Sequence, residues 1–245
     1  MKLYMFEFNT FRQHSRSFVE PAIISVWKTW QNSILLHLSQ KDKVIFGGDM
    51  RADSPGHSAK YGSYTMVDLT INRVVDLQLV QSNEVGGSHN MEKEGLRRSL
   101  AKMSQHGVKL DSIVTDRHPA IQKMLREEKI MQFYDVWHIE KGITKKLENA
   151  SKTKECEKLQ TWIKAIRNHI YWTAATSSTG PERIAKWMSL INHVQDVHTH
   201  EDPSFPNCLH PVKHTRDKHK WLSKGSPSLQ KLEKIMTNKR ILKDA

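Results

Sequence analysis

The chain has 245 residues, with 38 Lys plus Arg against 26 Asp plus Glu and a formal net charge of +12. That length buries a real core and fits one domain with an insertion, and seven Trp supply large anchors, which excludes a disordered chain. No apolar run approaches the roughly 20 residues of a membrane span, Met1 to Gln40 lacks a signal-peptide layout, and the two cysteines, Cys156 and Cys208, make no disulfide framework, which points to a soluble protein of a reducing compartment, nuclear or cytoplasmic.

Residues 18–40 read as a helix, with Ile23, Ile24, Trp27, Trp30, Ile34 and Leu38 at helical spacing. The period then changes. Val44 to Gly48 is a short buried strand ending at Asp49, and a polar loop follows with Ser54-Pro55-Gly56 as its turn. Strands are predicted over 62–70 and 73–80, separated by a tight turn at Asn72 and Arg73, because Val75, Leu77 and Leu79 alternate with polar residues. After Gly86-Gly87 a helix carries Met91, Leu96, Leu100 and Met103 and stops at Gly107. A fourth strand over 112–115 ends at Asp116. A helix over 120–128, a fifth strand over 132–136 and a basic helix from about His138 to Ala150 complete the order βββαβαβα. Hairpin-linked strands followed by crossover strands predict an α/β fold with one mixed five-stranded sheet. From 152 the chain reads as helix and loop, with apolar stripes through Leu159, Trp162, Ile163 and Ile166, through Ile184, Trp187 and Met188, and through Leu232, Ile235 and Met236. The expected organisation is an N-terminal helical segment over 1–43, a core over 44–150, and a mostly helical insertion with a His-rich loop over 151–245.

The positive charge is uneven. Residues 41–90 carry five basic and six acidic side chains, residues 141–169 carry eight against three, and residues 201–245 carry ten against five. Local excess of this kind suits a phosphate-binding surface, so nucleic acid is the expected partner, with a solvated surface as the bland alternative.

Asp49 and Asp116 end two strands that a mixed sheet can place side by side. Carboxylates at neighbouring strand ends hold Mg²⁺ or Mn²⁺ through oxygen ligands, and such ions serve phosphodiester chemistry. A helix cap for Asp116 and a turn residue for Asp49 are the structural alternatives. A second group, His193, His198, His200, Cys208, His210, His214 and His219, crowds one loop. The pairs His198-x-His200 and Cys208-x-His210 have spacings that a structural Zn²⁺ can use, against a polar loop rich in His by chance.

Phe46-Gly47-Gly48-Asp49, Asp53-Ser54-Pro55-Gly56-His57 and Tyr61-Gly62-Ser63-Tyr64 together resemble the first catalytic segment of DDE transposases of the insertion-sequence type. Ile113-Val114-Thr115-Asp116-Arg117 resembles the second segment, and Asp135-Val136-Trp137-His138 is similar to the Asp-x-x-His after their fifth strand. Residues 44–150 carry most of the likeness. Trp162-Ile163, Asn168-His169, Trp172 and Lys239 to Asp244 are similar to segments of a helical insertion in transposon-derived animal proteins. The resemblance implies a ribonuclease-H-like fold, with Asp49 and Asp116 as the first two acids of a catalytic triad, Asp53 as the fallback for the first, and His138 as a supporting residue or simply a helix-start histidine. It implies DNA as partner, Mg²⁺ or Mn²⁺ as cofactor, no membrane, and a homo-oligomer as an open option. The third acid of that family is a Glu beyond the segment matched by Lys239 to Asp244, so the chain is expected to be a remnant or fragment that binds DNA without cutting it efficiently. The alternative is an active strand transferase or endonuclease. Glu140 and Glu148 are in-chain substitutes that read better as surface helix residues.

Overall fold

A computed structural model describes residues 7–52, 58–211 and 218–244. The segment Asp53 to His57, with the fallback acid Asp53, and His214 lie outside the described residues. The chain divides into two units, 1–133 and 134–245.

In the first unit, helix α1 (Phe8–His14) runs through a π-helical turn (Ser15–Val19) into α2 (Glu20–Ser39). Then follow β1 (Val44–Ala52), β2 (Tyr61–Asp68), β3 (Arg73–Gln81), α3 (Met91–Gln105), β4 (Leu110–Thr115), α4 (Pro119–Glu127) and β5 (Met131–Tyr134). The strand order is β3-β2-β1-β4-β5, with β1 antiparallel to β2 and parallel to β4. This is the mixed five-stranded sheet that the order of elements predicts. The β2–β3 link is too short for a crossover, and Asn72 closes it in the left-handed region at φ 50°. Asp68 holds that turn by accepting from the Thr70 and Ile71 amides at 2.7 and 3.3 Å.

Several strand ends shift from the sequence reading, and two of the shifts fall at Asp49 and Asp135. β1 continues past Asp49 to Ala52, because its ladder with β2 extends to the pair Ala52 and Gly62. β5 stops at Tyr134, because Asp135 caps the next helix by accepting from the Trp137 amide at 2.8 Å. The stripe on α2 is also shorter than its periodicity suggests. Ile34, Leu35 and Leu38 are buried against Phe46, Met66 and Ile113, whereas Ile23 and Ile24 are exposed.

A buried polar network ties α2, β3 and α3 together. Asp76 is fully buried. It accepts from Gln31 Nε2 at 2.9 Å, Ser99 Oγ at 2.8 Å, Gln78 Nε2 at 2.7 Å and Lys102 Nζ at 3.2 Å. Burial alone would raise its pKa, but hydrogen bonds from Gln78 and Ser99 and the charge and hydrogen bond of Lys102 outweigh it and hold the carboxyl below its ordinary value.

The second unit is helical: α5 (Val136–Ser151), α6 (Leu159–Thr176), α7 (Gly180–His193), α8 (Pro227–Met236) and α9 (Lys239–Asp244). Among its described residues no second sheet forms; an isolated bridge joins Thr199 and Asn207. Trp162 and Trp187 are each 3% exposed, as their stripes predict, and their indole N–H groups donate to the Lys220 and Met236 carbonyls at 3.0 Å. Glu140 departs from the surface position expected of it. It is 3% exposed and paired to Arg167 Nε at 2.9 Å, with Thr144 donating to it from one turn on, so its charge is already satisfied within the helical unit. Glu148 is exposed, as expected. No described helix is long and apolar enough to cross a membrane.

Candidate functional site

Strands β1 and β4 are adjacent, and their last paired residues are Gly47 and Val114. Asp49 and Asp116 each lie two residues further along in this parallel register, so the sheet brings the two predicted acids to neighbouring positions. Asp49 is exposed and Asp116 half-buried. Asp49 Oδ1 accepts from the Met50 amide at 2.8 Å, and Asp116 Oδ1 accepts from the His118 amide at 3.1 Å. Asp116 does not cap α4, whose first turn follows His118 without a side-chain cap.

A third carboxylate joins them that sequence reasoning passed over. Glu92 stands in the first turn of α3 and shares a hydrogen bond with Asp116. Its carboxyl is pushed up to about 8, first by burial, then by the charge of Asp116 and the hydrogen bond to it, and then by Asp49. Its Oε1 is buried and has no hydrogen-bond partner. Carboxylates this close cannot all ionise cheaply, so at neutral pH the Glu92–Asp116 pair retains a proton unless a cation replaces it.

Tyr64 on β2 forms the floor beside these acids. The side chain is fully buried, and its hydroxyl lacks a hydrogen-bond partner. Burial drives the phenol well above its ordinary pKa, and the charges of Glu92, Asp49 and Asp116 push the same way. Two glycines make room for the ring. A Cβ on Gly48 would sit 1.9 Å from the Tyr64 hydroxyl, and one on Gly95 would sit 2.4 Å from Tyr64 Cβ. Gly95 thus lets α3 approach β2 closely and carries Glu92, one turn earlier, toward Asp116. Gly48→Ala is therefore expected to displace the ring and cost about 1–3 kcal/mol. Urea unfolding checks this, and an unchanged midpoint would mean that the ring is not lodged over Gly48.

His138 belongs to the second unit, in the first turn of α5. Its Nδ1 is 3.7 Å from Asp135 Oδ2, a charge-pairing distance but too long for a hydrogen bond.

The His-rich loop also gathers. The ligand atoms of His193, His198, Cys208 and His210 all lie within 4.8 Å of one another, so this His₃Cys cluster can hold a metal ion. Among the described residues no carboxylate group gathers as tightly. Relative to the sequence reading, His193 at the end of α7 takes the place of His200, whose Nε2 instead stands 3.4 Å from Cys208 Sγ. His219 is described and exposed and is not one of these four. His193 is lowered to about 4 by burial and then by His198 and His210, so its imidazole is neutral; burial raises the Cys208 thiol. The cluster borders a cavity of about 390 Å³ that His169, Trp172 and Phe205 also line.

No protein-family model matches this chain, and no curated protein matches it. A solved structure, the Drosophila P element transposase strand transfer complex, is similar to it at 13% identity and a TM-score of 0.32, over 99% of this chain and 80% of that one. A likeness this slight assigns neither family nor activity.

Proposed function

We propose that this chain is a transposase-related nucleic-acid-binding protein whose Asp49, Asp116 and Glu92 hold Mg²⁺ or Mn²⁺ for phosphodiester chemistry. The observation that carries the reading is Glu92, an acid half-buried against Asp116 with one oxygen unpartnered beside a partnerless Tyr64 hydroxyl. An all-oxygen, anionic donor set of this kind suits a hard divalent cation. When bound, such an ion supplies Lewis-acid stabilisation of phosphoryl oxygens and a more acidic water.

The chain's own groups have distinct tasks in this reading. Asp49, exposed, faces the solvent from which a phosphate arrives. Asp116 is oriented by the His118 amide. Glu92 stores a proton at neutral pH and gives it up when a cation arrives. Tyr64 closes the inner side against water. The remnant expectation rested on a missing third acid. Glu92 offers one from within the chain, which favours the active alternative over the remnant. DNA is the substrate that the motif resemblance suggests, and the basic excess at 141–169 and 201–245 suits its backbone.

The test is a strand-cleavage and binding assay on duplex and single-stranded DNA. Cleavage is expected in Mn²⁺, lost in Asp116→Asn, and at least about 100-fold slower in Glu92→Gln, as for removal of a charged transition-state stabiliser. DNA binding by the same variants should persist and fall steeply with salt. Salt-dependent binding without cleavage would restore the remnant reading, and absence of binding would remove both.

A further inference from the structure

We infer that the second unit contains a structural zinc site, with His193, His198, Cys208 and His210 as its four ligands and Asp196, His200 and the Pro211 carbonyl as the groups that orient them. The inference stands on which nitrogen of each imidazole is already engaged. His198 Nε2 lies 3.2 Å from Asp196 Oδ1, so it is the protonated nitrogen and donates outward. Its Nδ1 is buried and has no partner. A histidine tied outward to a carboxylate with its other nitrogen turned into a cluster is the usual arrangement of a metal ligand. His210 repeats the pattern, with Nδ1 donating to the Pro211 carbonyl at 3.0 Å and Nε2 left over. His193 turns its Nδ1 to Cys208 Sγ at 3.6 Å.

His200 is placed to serve the sulfur, not the ion. Asn192 Nδ2 donates to its Nδ1 at 3.3 Å, which fixes the proton on Nε2. That Nε2–H points at Cys208 Sγ at 3.4 Å, an N–H···S contact of the kind that stabilises a ligating thiolate. The backbone supports the same geometry. The amide of Cys208 donates to the His198 carbonyl at 3.0 Å and that of His200 to the Pro206 carbonyl at 2.8 Å, around the Thr199–Asn207 bridge. These bonds turn a loop with little apolar content back on itself and set Cys208 beside His198.

Three imidazoles and one thiolate are the borderline-soft donor set that favours zinc over magnesium or calcium. Ligands at about 2.0–2.3 Å from zinc stand roughly 3.3–3.8 Å apart on a tetrahedron, so the cluster needs only a contraction of about 1 Å to close. With four protein ligands no position remains open, so the neighbouring cavity does not make the ion catalytic. Its effect is to pin the loop after α7 to the end of that helix, against Trp162 and Trp221, whose rings stand 6.3 and 6.1 Å from His193.

The experiment is metal analysis of the full chain, followed by replacement with Co²⁺. One zinc per chain is expected, together with a thiolate-to-cobalt charge-transfer band and the strong visible absorption of tetrahedral cobalt. Cys208→Ser should abolish the charge-transfer band. His193→Ala should weaken binding more than His200→Ala, whose loss should be about 10- to 100-fold, the size typical of outer-sphere partners. Asp49→Asn with Asp116→Asn should leave the zinc in place. Should a ligand variant fail to fold, the wild-type cobalt spectrum decides alone. A chain without metal, an octahedral cobalt spectrum without the thiolate band, or a full-strength band in His193→Ala would overturn the assignment.

Discussion

Replacing Glu92 by Gln is expected to stabilise the metal-free chain at pH 8 and to leave it nearly unchanged at pH 5. In the folded state the Glu92 carboxyl is raised to about 8, whereas in the unfolded chain it returns to an ordinary value of about 4.3. Between those two values the folded state binds the extra proton, so its contribution is fully present below the lower value and is lost as pH rises through the upper one. Wild-type stability without metal should therefore fall from about pH 5 to pH 8, by an amount on the order of 2–4 kcal/mol. Gln carries no charge and can donate to Asp116, so the variant should show little of this slope. Mn²⁺ should restore the wild type at pH 8 and do little for the variant. Unfolding midpoints at several pH values, with and without the ion, check both parts. Parallel curves for the two proteins would show that Glu92 is not held against Asp116.

Asp76→Ala should have the largest effect on folding. The carboxylate collects four side-chain donors from α2, β3 and α3 in a fully buried position. Removing it leaves the buried Ser99 hydroxyl without its acceptor and the part-exposed Lys102 without its anion, while Gln31 keeps only the Val75 carbonyl. The expected loss is about 2–4 kcal/mol, one or two buried donors left unsatisfied at about 1–3 kcal/mol each. Asp76→Asn should cost less, because the amide oxygen still accepts. Since the Asp76 pKa is lowered in the folded state, its contribution is present above the ordinary carboxylate range and lost as pH falls through the lowered value. A loss below about 1 kcal/mol for Asp76→Ala would mean that water reaches these groups.

The sheet was legible because strand and helix periods differ and because short links force antiparallel neighbours. Asp116 could be placed at a strand end for the same reason; Asp49 lies inside β1, which runs on to Ala52, and the observed β1–β4 register puts the two on adjacent positions. Glu92 was not legible. It belongs to no motif, and nothing local distinguishes it from Glu94, which points away to Arg97 and Arg98. Its position depends on how closely α3 approaches β2, and the one trace of that in the sequence is Gly95, a glycine inside a helix. The His₃Cys cluster was half legible. Spacing identified the loop and three of the four residues, but choosing His193 over His200 required knowing which imidazole Asn192 turns toward the sulfur. Helical periodicity marked the apolar positions Ile23 and Ile24 on α2 but could not say what would cover them, and they are exposed.

The central claim is that Asp49, Asp116 and Glu92 act as one divalent-cation site. Calorimetric titration of the full chain with Mn²⁺ at two pH values tests it most directly. At pH 7 binding should release close to one proton per ion, because Glu92 must ionise, and at pH 9 it should release almost none. Affinity should therefore rise between pH 6 and pH 8, and both Asp116→Asn and Glu92→Gln should weaken it at least about 10-fold, the scale of one lost ligand or close partner. Binding that is independent of pH and unchanged in both variants would place the ion elsewhere and contradict the account.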